Sequence, residues 1–206
     1  MIRVTELLRR YGVAPEFPNV PAVRAAANRG TVVHELSLRI EDLHRDGNSS
    51  SVRKFIEGLD PLVRPYVQGV HEFVSTFNPV WVMREQRLVD DEILLCGTPD
   101  RYGSIQRQVA HENLRHTKHA TYKRNVVIDF KTSAPKSWHR YQVALYSILI
   151  ERSFPDIKVD ERWCVYLHKR GSFQVEIHKS HMDIVKAWNI INSYSSLNSR
   201  GDDASS

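Results

Sequence analysis

The chain has 206 residues, 41% of them hydrophobic and 26% charged, which is enough to close one core and excludes general disorder. No apolar run approaches the ~20 residues of a membrane-spanning helix, and the opening Met1-Ile2-Arg3-Val4-Thr5-Glu6-Leu7-Leu8 has no apolar stretch leading to a cleavage site, as a secretion signal would. Two cysteines, Cys96 and Cys164, are too few for a disulfide scaffold, so a reducing, cytoplasmic setting is expected; the formal net charge of +5 suits a polyanionic partner without requiring one.

Taken in chain order, Thr5-Glu6-Leu7-Leu8 predicts a short helix ended by Gly12, Pro15 and Pro18. Val23, Ala26, Ala27, Val33, Leu36 and Ile40 recur near three-to-four spacing and predict a longer helix over residues 21–43. Residues 46–51 read as a turn. A second helical region covers 52–77, striped by Phe55, Leu59, Leu62, Tyr66, Val70 and Phe73, with a break near Pro61 and Pro65. The β-formers from Pro79 to Val89 predict one strand, Asp90-Asp91 a turn, and residues 93–102 its hairpin partner. Asn125 to Lys131 is a buried strand by its β-branched run. A helix is expected over 138–151, a hairpin over 161–168 and 172–178, and a last helix over 181–194; the polar tail 195–206 is expected to be disordered. With no internal repeat, this order predicts an α/β fold, a central mixed β-sheet flanked by helices in a single domain spanning residues 1–194.

Asp129 and Lys131 stand where charge is costly, at the end of Val126-Val127-Ile128. Two residues apart on a strand, they project to the same face, and desolvating both is unfavourable unless they pair or bind something. A structural ion pair at a strand end is one reading. Asp100 favours another, because it ends a neighbouring strand after Gly97-Thr98-Pro99, where the chain can bend. Two strand carboxylates converging on one cation would give Mg²⁺ hard oxygen ligands without filling its octahedral shell. Such a metal activates water for phosphodiester hydrolysis, and Lys131 on the same face can orient that water or neutralise charge developing on the phosphate.

Gly97-Thr98-Pro99-Asp100 followed by Val127-Ile128-Asp129-Phe130-Lys131-Thr132-Ser133 resembles the signature of the PD-(D/E)XK nucleases. Gly30-Thr31-Val32-Val33-His34 and Gln142-Val143-Ala144-Leu145-Tyr146 are similar to the Gly-x-x-x-His and Gln-x-x-x-Tyr motifs of the branch containing the RecB nuclease domain and phage exonucleases. The resemblance runs across residues 1–194 and implies a restriction-endonuclease-like fold. It also implies a metal held by His34, Asp100, Asp129 and the Phe130 carbonyl, with Glu85 an additional acidic ligand. Lys131 becomes the catalytic lysine, and Gln142 and Tyr146, one helical turn apart, face it. The activity implied is hydrolysis of DNA by a Mg²⁺- or Mn²⁺-dependent exonuclease of phage or prophage type, acting in recombination or replication beside partner proteins. A catalytically inactive DNA-binding protein on the same fold and an RNA-directed nuclease are the alternatives.

Residues 104–124 separate the two acidic strands by more than a tight turn requires. They carry Arg107, Arg115, Lys118, Lys123 and Arg124 with His111, His116 and His119. They read either as a basic flap that contacts DNA or as a passive insertion. Trp138, His139, Arg140 and Lys136 are expected near the site by family analogy.

Overall fold

The computed structural model describes the backbone of residues 1–110 and 119–202 and the side chains of 1–106 and 123–197. Its elements in order are β1 (Ile2–Arg3), α1 (Val4–Arg10), α2 (Pro21–Arg45), α3 (Ser49–Glu57), α4 (Arg64–Phe77), β2 (Val80–Arg84), β3 (Leu88–Asp90), β4 (Leu95–Gly97), β5 (Arg101–Ala110), β6 (His119–Lys131), α5 (His139–Ser153), β7 (Glu161–Leu167), β8 (Phe173–His178) and α6 (His181–Asp202). The expected mixed sheet is present, in the order β2-β5-β6-β7-β8. Its β6 and β7 are parallel and the other neighbours antiparallel. A parallel pair needs a crossover, and α5 supplies it.

Alternation along β6 decides what each face carries. Val126, Ile128 and Phe130 point to a core shared with α2, α3 and α4, whereas Val127 points to a second core built from α1, α5, α6 and the small sheet. On β7, Trp163 and Val165 join the first core and Cys164 and Tyr166 the second. Asp129 and Lys131 share the parity of Val127, so the pleat sends both toward α5. The same rule on β5 pairs Tyr102 with Val127 on the α5 side and turns Arg101 the other way, toward α2. Residues 142–150 of α5 are buried without interruption, because the sheet covers one side of the helix and α1 and α6 the other.

The strand expected over residues 79–89 is two strands in two sheets. β2 joins β5 in the large sheet, while β3 pairs with β4 in a small sheet ordered β1-β4-β3. Glu85 marks the break, with φ of 48°, and its amide donates to the Asp100 carbonyl at 2.9 Å. Pro99 breaks the partner strand at the same level, since it cannot donate to a ladder. The two-residue β1, parallel to β4, is too short to leave a periodicity in the sequence. Ser49 to Ser51, expected in a turn, form the first turn of α3, capped by the Asn48 side chain accepting from the Ser51 amide at 3.0 Å.

Two expectations about irregular segments change. The flanks of residues 104–124 form an antiparallel ribbon, registered from Arg101 with Ile128 to Ala110 with His119. Residues 111–118 lie outside the described residues, as do the side chains of 107–122, and with them the expectations for Arg107, His111, Glu112, Arg115, His116, Lys118 and His119. The tail is helical from Ser195 to Asp202 as the end of α6. Ile190, Ile191 and Tyr194 anchor that helix in the second core, and once a helix is anchored each further residue extends it at little cost. No helix among the described residues is long and apolar enough to cross a membrane.

Gly97 lies at the closest approach of β4 to α5. A Cβ there would come within 2.9 Å of Tyr146 Cε1, 3.0 Å of Val4 Cγ2 and 3.2 Å of Leu149 Cδ1. Gly97→Ala is therefore expected to cost about 1–3 kcal/mol, read as a lower thermal midpoint. Because the crowded atom belongs to the Tyr146 ring, the same variant should displace that ring. A midpoint equal to wild type would mean that α5 gives way freely here.

Candidate active site

Three elements bring His34, Glu85 and Asp100 together. α2 presents His34 on the helical face that also carries Ser37 and Glu41, at i, i+3 and i+7. The left-handed turn after β2 aims Glu85 at the same point, and Asp100 arrives from the bend before β5. His34 Nδ1 lies 3.2 Å from Asp100 Oδ1 and 3.3 Å from Glu85 Oε1. Its Nε2 lies 3.2 Å from the Phe130 carbonyl. One ligand atom from each of these three side chains falls within 4.8 Å of the others.

Asp100 is buried, and its Oδ2 accepts the Phe130 amide at 2.6 Å, which ties the bend to the end of β6. Asp129, also buried, is outside the His34 group. It forms an ion pair with Lys131, and its Oδ1 accepts from Gln142 Nε2 at 3.3 Å. Lys131 Nζ donates to Gln142 Oε1 at 2.9 Å, and Gln142 Nε2 also reaches Tyr146 Oη at 3.1 Å. The Gln142 amide thus orients carboxylate, ammonium and phenol at once. Of the sequence-predicted residues, His34, Glu85 and Asp100 form one group, and Asp129, Lys131, Gln142 and Tyr146 a second beside it.

The electrostatics link the two groups. Burial pushes the Asp129 carboxyl up to about 6, with the negative charge of Asp100 adding to the rise and Lys131 opposing it. Burial also works against ionised Asp100, but His34 and Lys131 hold its carboxyl below the usual range. The charge of Asp100 raises the His34 imidazole to about 11, assisted by its hydrogen bonds to Asp100 and Glu85. Lys131 is raised as well, the charges of Asp129 and Asp100 outweighing burial. Burial, then the nearby carboxylates, keep the Tyr146 phenol neutral far above its ordinary range. The clustered carboxylates therefore demand positive charge, and the proton on His34 meets part of that demand. A metal ion fits the same place: one imidazole nitrogen and two carboxylates converge there, whereas the Phe130 carbonyl, expected as a fourth ligand, lies against the other ring nitrogen of His34.

Behind Glu85 lies a network absent from the sequence reading. Arg101, fully buried, donates from Nε to Glu41 Oε1 and Oε2 at 2.7 and 2.9 Å. Its Nη1 reaches Glu85 Oε1 at 3.1 Å and the Asp100 carbonyl at 2.6 Å, and its Nη2 reaches Ser37 Oγ at 2.5 Å. Arg84 closes the network at the surface, 2.8 Å from Asp42 and 3.6 Å from Glu41. The polar positions Ser37 and Glu41 on the buried side of α2 were the available signal.

The sequence matches no family model and no curated protein. Among solved structures it is similar to a candidate exonuclease from Eubacterium rectale. That likeness has a TM-score of 0.44 and 9% identity, over 98% of this chain and 74% of the other.

Trp138 and His139, expected near the site, are beside it. Lys131 Nζ lies 5.8 Å from the Trp138 ring centroid. His139 is buried, 3.0 Å from Tyr166 Oη through Nδ1, and burial together with Lys131 lowers its imidazole to about 3, so it stays neutral.

Proposed function

We propose that this protein is a metal-dependent nuclease hydrolysing DNA phosphodiester bonds, with His34, Glu85 and Asp100 holding the metal and Asp129 and Lys131 beside it. The observation that carries the reading is the juxtaposition of a mixed His-carboxylate group with a half-buried lysine at the end of β6. A structural ion pair would need neither His34 nor Glu85 beside it.

A divalent cation bound here would supply Lewis acidity toward a phosphate oxygen and a water of lowered pKa. The chain's own residues do the rest. Lys131, held by Asp129 and Gln142, is charged and offsets charge developing on the scissile phosphate. Asp129, in direct contact with Lys131, keeps that ammonium in place beside the metal's ligands. Gln142 fixes both side chains, and Tyr146 in turn steadies Gln142. Arg101 keeps Glu85 and Asp100 in register from behind.

Purified protein incubated with end-labelled linear and closed circular DNA, in Mg²⁺, Mn²⁺ or EDTA, tests the proposal. Metal-dependent loss of the linear form alone would identify an exonuclease, of the kind used in recombination or replication; loss of both forms would identify internal cutting. Cleavage that persists in EDTA, or none with any metal on DNA, would overturn the proposal. His34→Ala and Glu85→Gln are expected to raise the Mg²⁺ concentration needed for half-maximal cleavage by about tenfold or more. An unchanged metal requirement would remove both from the ligand set.

A further inference from the structure

Beside the candidate active site, α1, the start of α5 and the start of α6 enclose a groove of about 610 Å³. Tyr11, Arg140, Tyr141, Lys186, Asn189 and Ser193 are among its lining residues. The two tyrosine rings are half-buried and packed on the second core, so each presents a fixed face instead of a mobile side chain. Arg140 and Lys186 are exposed, and Lys186 Nζ lies 5.0 Å from the Tyr141 ring centroid. The acidic residue of the lining, Asp183, is buried and within electrostatic reach of Arg162.

The start of α5 carries residues of both places, Trp138 against Lys131 and Tyr141 in the groove. Tyr141 lies one helical turn beyond Trp138, its amide donating to the Trp138 carbonyl at 3.0 Å. The Trp138 ring faces Lys131 and meets Phe17 at 6.5 Å. Phe17 is an exposed aromatic, 46% accessible, with the Arg9 guanidinium 5.6 Å from its centroid. Trp138 and Tyr141, one helical turn apart at the start of α5, with Phe17 against Trp138, form a file of rings, each accompanied by a cation: Lys131, Lys186 and Arg9.

We infer that this file is a track for single-stranded nucleic acid, leading from the scissile position into the groove of Tyr11, Tyr141 and Lys186. The inference rests on the nuclease reading for its direction, and on the groove's chemistry for its ligand. Rings each paired with a cation match a chain of stacking bases and phosphates, and every base offers a face to stack. A duplex keeps its base faces inside the helix, so only an unpaired strand can use the rings. A docked protein segment would use the apolar lining but would leave the pairing of each ring with a cation without purpose.

The test is binding of a fluorescein-labelled oligothymidylate, followed by anisotropy in EDTA so that no cleavage intervenes. The matching duplex is measured in parallel. Tyr141→Ala is expected to weaken single-strand binding by about tenfold, and Tyr141→Phe, which keeps the ring, to bind as wild type does. Lys186→Glu should weaken binding and lower the salt dependence of the affinity by about one ion. Neither variant is expected to alter the affinity for duplex. Wild-type affinity in both Tyr141→Ala and Lys186→Glu, or an equal loss on single strand and duplex, would overturn the track. The parent reading is judged separately: if the wild type cuts DNA while the groove variants bind normally, the track alone fails. If ring-dependent binding holds but no metal supports cleavage, the nuclease reading alone fails.

Discussion

Asp129→Ala is expected to slow DNA cleavage by about a thousandfold or more, while leaving DNA binding largely intact. The side chain is buried, carries a carboxyl pushed up to about 6, and holds both the Lys131 ammonium and the Gln142 amide. Its loss removes a carboxylate from beside the proposed metal and releases Lys131 from its ion pair. Asp129→Asn separates these effects, since it keeps the shape and removes only the charge. If charge is what matters, the asparagine variant should be as inactive as the alanine one. Lys131→Ala should be equally slow, with a folded far-ultraviolet spectrum. Single-turnover hydrolysis of labelled DNA in Mg²⁺ measures all three, and wild-type rates in any of them would sink the assigned centre.

The largest stability effect is expected at Arg101. It is fully buried and is bound by Glu41, Glu85, Ser37 and the Asp100 carbonyl. Arg101→Ala leaves the buried Glu41 carboxylate, already raised by burial, without its main compensating charge. Breaking a buried pair in this way costs about 3–5 kcal/mol, or roughly 6–20 °C of thermal midpoint for a chain of this size. Replacing both partners by apolar residues, Arg101→Met with Glu41→Leu, should recover much of that loss, since two desolvation costs disappear together. Cleavage should not recover with it, because Glu85 and Asp100 still lack their support. A midpoint for Arg101→Ala within about 2 °C of wild type would show that the network contributes little.

Much of this arrangement was legible in the residues. The β-branched run of β6, the stripe of α2 and the apolar stretch of α5 are signals of period and composition, and each became the expected element. Asp129, Lys131 and Asp100 were conspicuous because ionisable groups ended strands that had to be buried. What stayed hidden depends on tertiary geometry. The change of sheet between β2 and β3 is made by a left-handed Glu85, a residue type with no preference for that conformation. Arg101, beside the conspicuous Asp100, reads as a surface charge until the pleat sends it toward α2. Ser37 and Glu41 sit on a helix whose many exposed polar positions mask two that are not. The ribbon of β5 and β6 was concealed by its polar composition, which looks like loop until strand pairing is known.

The parallel pairing of β6 with β7 also sets when the proposed centre can exist during synthesis. Its residues are spread from His34 to Tyr146, and each is placed by contacts distant in sequence. β6 cannot be enclosed until α5 has crossed over and β7 has been made, so His34, Glu85 and Asp100 emerge long before the sheet that aligns them is complete. Non-local pairing of this kind forms late in folding. A nascent or truncated chain would thus carry the proposed ligands without the proposed centre, and any hydrolytic activity would have to wait until the domain had closed.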